Sequence, residues 1–311
     1  LKGNFPTSVF SLTNLKKLDL SSNKLYGEIP NLSSLSNLTY LNLSNNDFTG
    51  DVWSSYSNLP NLEEIYVGHN NCNISNTDFS GFSGLKSLDI SKLNLTEIPA
   101  SLGSLQKLSS LNVSNNAIVS FSNLSSLNQL QELNLANNNL NKVPSEIINF
   151  ISLKSLDLSN NIITDFSSLS NLINLEWLSL ENNSLQNIPN QVSNLQKLIH
   201  LNLGRNKING STSILGTLNH LQQLWLNHNK LSGNIPQDLL ALPNLMCLSL
   251  QSNELEGTIP NNIPQICNIS NNRFSKTQIE NYLNTNSNNT DFIYSPQRYD
   301  NPKVIKANLN S

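Results

Sequence analysis

Leucine and other apolar residues recur along this chain at a spacing that predicts one short β-strand every 22 to 24 residues. The frame LxxLxLxxNxL fits "LKKLDLSSNKL" from Leu15 and returns in register ten more times. Its eleven copies start at Leu15, Leu38, Leu62, Leu85, Leu108, Leu130, Leu153, Leu175, Leu198, Leu221 and Leu245. A twelfth copy, "PQICNISNNRF" from Pro264, keeps only the end of the frame.

Alternation within the frame predicts that positions 4 and 6 point inward and positions 3, 5 and 7 point outward. One copy is too small to bury its own leucines, so neighbouring copies must stack to form the core. An Asn occupies position 9 in eleven copies: Asn23, Asn46, Asn70, Asn116, Asn138, Asn161, Asn183, Asn206, Asn229, Asn253 and Asn272. An inward amide there can bond backbone groups that would otherwise cost about 1–3 kcal/mol each. The fourth copy has Leu93 instead, which predicts a local irregularity around residues 91–95.

These residues are those of the leucine-rich repeat family, which the chain resembles from residue 1 to about residue 274. The segments "LYGEIP", "LSGNIP" and "LEGTIP" resemble the LxGxIP pattern of plant-type repeats, whereas other copies are shorter. The resemblance implies an α/β repeat solenoid, a right-handed superhelix with a concave parallel β-sheet and about twelve repeats.

Two segments are predicted. Residues 1–274 form the solenoid, and we expect its N-terminal cap to be missing because "LKGNFPTSVF" reads as the middle of a repeat. Residues 275–311 form a helical cap and an extended exit segment, since Ser275 and Gln278 make a capping box before an apolar stretch. The sequence "DFIYSPQ" at 291–297 resembles the exit sequence of surface leucine-rich repeat proteins from the Bacteroidetes group of bacteria.

Charge and cysteine content exclude several classes of protein. A net charge of −3 with scattered signs provides no basic face, which argues against nucleic acid as a partner. No apolar run approaches the ~18 residues of a membrane-spanning helix, so we expect no direct membrane insertion in this segment. The three cysteines make neither a disulfide framework nor a metal knuckle. Their frame positions predict three free thiols, with Cys72 and Cys267 buried and Cys247 facing outward.

No catalytic or cofactor-binding motif is present, so we expect no enzyme activity and no cofactor. His200, His228 and Glu181 fall on adjacent repeats and could meet around a metal ion. One such trio on a polar face is expected by chance, and no metal site is predicted.

Solenoids of this family bind through the concave sheet, and the outward positions of the eighth to tenth copies differ from the small polar residues of the middle copies. The predicted ligand-binding residues at this end are Trp177, Glu181, His200, Gln223 and Trp225, with Arg205 and His228 at the adjacent eighth positions. A smaller second candidate, near Glu64 and His69, is formed by Tyr40 and Tyr66. Exposed tryptophan is a frequent binding anchor. The alternative is that these rings only cover the sheet.

The function predicted from these features is a non-catalytic, extracellular or cell-surface recognition module whose concave face binds a protein, peptide or glycan. One alternative is the ectodomain of a plant-like receptor, although the paired cysteines that usually close such ectodomains are missing after the last repeat. Further alternatives are an intracellular leucine-rich repeat scaffold and an accessory domain of an enzyme.

Overall fold

The computed structural model describes residues 1–51, 59–74, 77–120 and 124–298. The chain divides into two compact units, the first ending at Asn174 and the second beginning at Leu175. The part of the predicted exit segment beyond residue 298 lies outside the described residues. The predicted limits at 274 and 275 stay a prediction.

Each unit is built on parallel three-residue strands at positions 3 to 5 of the frame. In the first unit the strands are Lys17–Asp19, Tyr40–Asn42, Glu64–Tyr66, Ser87–Asp89, Ser110–Asn112, Glu132–Asn134 and Ser155–Asp157. In the second unit they are Trp177–Ser179, His200–Asn202, Gln223–Trp225, Cys247–Ser249, Ile266–Asn268 and the additional strand Phe292–Ile293. Neighbours pair in register without slippage, for example Leu41 with Ile65 and Leu224 with Leu248. The predicted frame is therefore confirmed in every copy.

The chain returns between these strands through short helices and a few extra strands. The 3₁₀-helices are Thr7–Ser11, Ala100–Ser104, Ser145–Asn149, Ser167–Asn171, Asn190–Asn194 and Ser213–Thr217, and the α-helices are Gln237–Leu240 and Lys276–Thr285. The extra parallel strands are Lys2–Gly3, Lys24–Glu28, Asp47–Asp51 and Asn71–Asn73 in the first unit, and Ser232–Gly233 and Glu254–Leu255 in the second. Glycine is needed in the LxG segments, because Gly27 and Gly233 have φ of 80° and 75°.

Positions 4 and 6 of the second to twelfth copies are buried, and they form the apolar core together with leucines at positions 1 and 11. Burial of a leucine side chain contributes about 1.5–3 kcal/mol relative to leaving it in water. Cys72 and Cys267 are buried, Cys247 is half-buried, and all three thiols are free, as predicted.

The position-9 asparagines form a buried ladder of hydrogen bonds. Asn161 is representative: its Oδ1 accepts from the Leu140 N–H of the preceding copy at 3.0 Å. Its Nδ2 donates to the carbonyls of Leu135, Leu158 and Ser159 at 3.0, 3.1 and 3.2 Å. Each such amide satisfies backbone groups in its own copy and in the copy before it, which confirms the predicted role.

Two further frame positions carry a fixed local geometry. At position 5, Asp or Asn in eight copies accepts a hydrogen bond through its side-chain oxygen from the N–H of position 7, at 2.8 to 3.1 Å. At position 8, each of the twelve copies found in the sequence has a left-handed residue, with φ between 50° and 58°. Asn, which tolerates this conformation best among residues with side chains, stands there in six copies.

The turn around Leu93 differs from the standard one, as predicted, because both Lys92 and Asn94 have positive φ. Leu93 is not the cause, since the copy with Asn183 has the same feature at Asn182 and Ser184. In both turns the Asn of the following copy, Asn116 or Asn206, accepts two backbone N–H bonds.

The C-terminal end contains a thirteenth copy that the frame search does not find. Phe292 pairs with Cys267 in the sheet, and Gln297 takes the place of a ladder asparagine. Its Oε1 accepts from Asn272 N–H at 3.1 Å and its Nε2 donates to Ile269 O at 3.2 Å. The helix Lys276–Thr285 begins with the predicted Ser275 capping box. Its Tyr282 ring lies 4.6 Å from the ring of Phe292, so the helix covers the end of the core.

Candidate binding surface

Five adjacent strands of the second unit place one outward residue each in a single row. The register runs from Trp177 to His200, Gln223, Cys247 and Ile266. Trp225 lies in the neighbouring row, paired with Asn202 on one side and Ser249 on the other. At about 4.8 Å per strand, the row from Trp177 to Ile266 extends over roughly 19 Å. We call Trp177, His200, Gln223 and Trp225 the aromatic patch.

The side chains of the aromatic patch point away from the core. All four are partly exposed, whereas Leu178, Leu201 and Leu224 between them are buried. Within the described part of the chain, neither indole N–H of Trp177 and Trp225 has a hydrogen-bond acceptor. Both rings thus offer an apolar face and an unused donor to a partner.

Glu181, Arg205 and His228 form a rim beside the aromatic patch. Arg205 Nε lies 3.2 Å from Glu181 Oε1, and Asn202 Nδ2 donates to Glu181 Oε2 at 3.0 Å. Because both carboxylate oxygens are engaged, Glu181 holds Arg205 in place. His228 is exposed, and its Nδ1 lies 3.1 Å from Asn227 Nδ2.

Trp225 stands at position 5, where eight copies carry Asp or Asn, and Arg205 and His228 stand at position 8, where six copies carry Asn. Trp225 at position 5 gives up the hydrogen bond to the N–H of position 7. Arg205 and His228 hold the left-handed conformation at position 8 with φ of 53° and 54°. In this conformation a residue other than Gly or Asn is strained by roughly 1 kcal/mol. Local stability is therefore lower at these positions than the repeat permits, which is typical of functional sites.

The first unit shows the same departures in its third copy. Tyr66 replaces the position-5 Asp or Asn, and His69 is left-handed with φ of 58°. The Tyr40 and Tyr66 rings are 5.6 Å apart, and Lys17 Nζ lies 5.6 Å from the centre of the Tyr40 ring. Tyr66 donates its hydroxyl to Glu64 Oε2 at 2.8 Å, and burial raises the pKa of Tyr66. We call Tyr40 and Tyr66 the tyrosine patch. Its polar groups are already bonded within the chain.

Residues that the sequence did not indicate extend the surface of the second unit. Met246, Ile266 and Ile293 are exposed apolar side chains at its C-terminal end, next to half-buried Cys247. Ile266 was detectable at position 3 of the degenerate twelfth copy. Ile293 was not, because its copy departs from the leucine frame.

The polar floor expected in the middle copies is only partly solvated. Ser91, Ser114 and Ser159 at position 7 are buried, whereas Ser110 and Ser155 at position 3 are partly exposed. The expectation that position 7 faces solvent is wrong for these serines; the position-8 amides of Asn115 and Asn160 donate to the hydroxyls of Ser114 and Ser159 at 3.1 and 3.5 Å.

Among the described residues, no three His, Cys, Asp or Glu side chains are grouped closely enough to hold a metal ion. In the same ranges no helix has the length and apolarity needed to cross a bilayer.

Leucine-rich repeat family models match most of the chain. The model "Leucine rich repeat" matches residues 36–95, 83–140 and 128–185. The two-copy model matches 13–52, and the single-repeat model matches 220–242 and 244–266. The chain belongs to the leucine-rich repeat family. The parallel sheet repeated at 22 to 24 residues is its right-handed solenoid, so the predicted fold class is confirmed.

Solved structures of leucine-rich repeat proteins from bacteria and plants are similar to this chain. An internalin (inlF) from Listeria monocytogenes is 28% identical with a TM-score of 0.77, and the match covers 93% of this chain and 85% of that one. The ectodomain of the receptor kinase GASSHO1/SCHENGEN3 from Arabidopsis thaliana, in complex with CASPARIAN STRIP INTEGRITY FACTOR 2, is 26% identical with a TM-score of 0.65. That match covers 94% of this chain and 39% of the receptor chain. The plant peptide hormone receptor RGFR1 in complex with RGF2 is 26% identical with a TM-score of 0.57, covering 96% and 58%. This leucine-rich repeat chain thus spans little more than half, or less, of the plant receptor chains.

Proposed function

We propose that this chain is a non-catalytic recognition module that binds a protein or peptide partner through the aromatic patch and its rim. The observation that carries the proposal is the tenth copy, where two large side chains, Trp225 and His228, replace both turn-stabilising residues; the eleventh copy replaces them only with the small Ser249 and Ser252. Two losses of local stability on one outward surface are accounted for if these side chains serve a partner. The row of exposed side chains, roughly 19 Å long, matches a segment of about six extended residues.

A protein or peptide fits this surface better than a glycan does. Its rows contain two indole rings and the apolar Ile266 and Ile293. Two of the similar plant structures are complexes, one of a peptide hormone receptor with RGF2 and one of a receptor ectodomain with CASPARIAN STRIP INTEGRITY FACTOR 2. We therefore propose a protein or peptide as the partner.

We place this function at the cell surface or outside the cell. The similar structures include a bacterial internalin and the ectodomain of a plant membrane receptor kinase, which supports an extracellular setting. Antibody labelling of intact and permeabilised cells that express the full-length protein tests this placement. Labelling that requires permeabilisation would favour an intracellular scaffold.

The binding proposal is tested with a random peptide library displayed on phage and selected on the immobilised chain. Selected peptides are then titrated against the wild type, Trp177→Ala and Trp225→Asn. Loss of a buried anchor costs about 2 kcal/mol, so each Trp variant should weaken binding by about 30-fold. Ser110→Ala and Ser155→Ala, which alter outward residues of the first unit, should leave the affinity unchanged.

Two results would contradict the proposal. One is a set of peptides that bind the wild type and both Trp variants equally. The other is a selection in which the wild type retains no peptide above background.

A second candidate surface is the tyrosine patch, because Tyr66 and His69 make the same two departures within one copy. Peptides that lose binding to Tyr66→Asn and retain it in Trp225→Asn would transfer the function to the first unit.

A further inference from the structure

A second row of the second unit lies at position 10 of the frame, five residues after the strand of each copy ends. The N–H groups of Lys207, Lys230, Glu254 and Arg273 each donate to the carbonyl of the position-11 residue one copy earlier, at 2.7 to 2.9 Å. These bonds stack the four residues at one strand spacing, about 4.8 Å. Arg298, whose N–H donates to Asn272 O at 2.9 Å, extends the row into the thirteenth copy.

The row is strongly basic although its unit is neutral. Residues 175–298 contain seven Lys or Arg and seven Asp or Glu. Four of the seven basic residues lie in this row with one acid, Glu254. We call Lys207, Lys230, Arg273 and Arg298 the basic edge.

The two halves of the basic edge differ in how their charge is compensated. Glu254 Oε2 is 2.5 Å from Arg273 Nη2, and its Oε1 is 4.0 Å from Arg298 Nη1. Lys207 and Lys230 are exposed, and neither has an ion-pair partner in the described part of the chain. Like charges at the same position of adjacent copies, about one strand spacing apart, repel, so this pair is unfavourable for the isolated chain.

We propose that the basic edge is a docking surface for an acidic peptide segment, with Lys207 and Lys230 receiving its carboxylates. The edge lies beyond the aromatic patch and does not depend on it. A partner's Asp or Glu side chains would relieve the repulsion between the two lysines. Glu254 favours a peptide over other acidic ligands. A sulfated glycan or a nucleic acid carries negative charges at every unit, and one of them would be repelled by this carboxylate in the middle of the row. A peptide can place its acids at Lys207 and Lys230 and a neutral residue at Glu254.

The test is a fluorescence anisotropy titration with a fluorescein-labelled octamer that has Glu at its third and fifth positions and Gln elsewhere, called the glutamate octamer, and with an all-glutamine octamer carrying the same label. We expect the glutamate peptide to bind, the glutamine peptide not to bind, and the affinity to fall as salt is added. Lys207→Gln with Lys230→Gln should weaken binding at least tenfold. Lys16→Gln with Lys107→Gln removes the same charge from two exposed lysines of the first unit, and should change the affinity less than twofold.

Each other outcome overturns the inference. Equal losses in the two double variants would show attraction to overall charge only. No binding of the glutamate octamer by the wild type would exclude an acidic peptide. A sulfated oligosaccharide of equal charge that binds more tightly than the peptide would exclude the ligand class. Trp177→Ala should bind the octamer like the wild type, so failure of this inference leaves the aromatic patch untouched.

Discussion

Arg205 and Glu181 are joined by an ion pair of 3.2 Å between Nε and Oε1, across the ends of two adjacent strands. The pair is largely solvated, with 58% of the Arg205 side chain and 29% of the Glu181 side chain exposed. Exposed pairs contribute about 0–1 kcal/mol to folding, so its main effect is to orient the guanidinium beside the aromatic patch.

Replacement of Arg205 or His228 by Asn should stabilise the fold. Both residues are left-handed, and Asn occupies the same position in six copies. We expect the free energy of unfolding to rise by up to about 1 kcal/mol for each variant. Urea unfolding followed by circular dichroism measures this. Asn137→Arg is the reverse control and should lose a similar amount. Lower stability of both Asn variants would mean that Arg205 and His228 serve the fold.

Trp177 and Leu178 are neighbours on one strand with opposite expected effects on stability. Leu178 is fully buried, so Leu178→Ala should cost about 2–5 kcal/mol. Trp177→Ala should cost much less, about 0.5–1 kcal/mol, because its ring lies partly in solvent. Thermal melts of the two variants give the comparison. Equal losses would show that Trp177 belongs to the core.

Removal of a ladder amide should be costly although the side chain is small and polar. Asn161→Ala leaves the buried Leu140 N–H and the carbonyls of Leu135 and Leu158 without this partner, at about 1–3 kcal/mol per group. We expect a total loss of about 3 kcal/mol or more by chemical denaturation. Asn139→Ala, an exposed position-10 control, should stay within about 0.5 kcal/mol.

The buried thiols should make the fold sensitive to alkali. Burial raises the pKa of Cys72 and Cys267 from about 9.0 to about 12. Above pH 9 the unfolded chain releases protons that the folded chain keeps, so stability falls as pH rises toward 12 and is unaffected below 9. The double variant Cys72→Ala, Cys267→Ala should show a shallower decline of unfolding free energy between about pH 8.5 and 10.5. Identical slopes would contradict the raised values.

The strand positions and core of this fold could be predicted from the sequence because the leucines at positions 4 and 6 of the frame are two residues apart, which is the period at which side chains of a β-strand face the same side. The thirteenth copy could not, since Phe292, Tyr294 and Gln297 fill its frame without a single leucine. The outward direction of Trp177 and Trp225 followed from alternation alone. The sequence did not show that Trp225 and His228 replace turn-stabilising residues. The Asp or Asn turn at position 5 and the left-handed residue at position 8 are backbone features that become visible only in the structure.

The direction of the asparagine ladder limits how such a chain can change in length. Each ladder amide reaches back, so each copy except the third, which is followed by the copy with Leu93, is completed by the one after it, and Gln297 completes the last asparagine, Asn272. Duplication or loss of an internal copy preserves these hydrogen bonds. Each remaining copy still contributes its own amide and is bonded by the amide of the copy after it. Truncation after an internal copy leaves the backbone N–H of its last turn without an amide acceptor. A terminal segment equivalent to residues 291–298 would have to supply that acceptor. The number of internal repeats can therefore change without loss of the ladder, whereas removal of residues 291–298 takes away the acceptor of the Asn272 N–H.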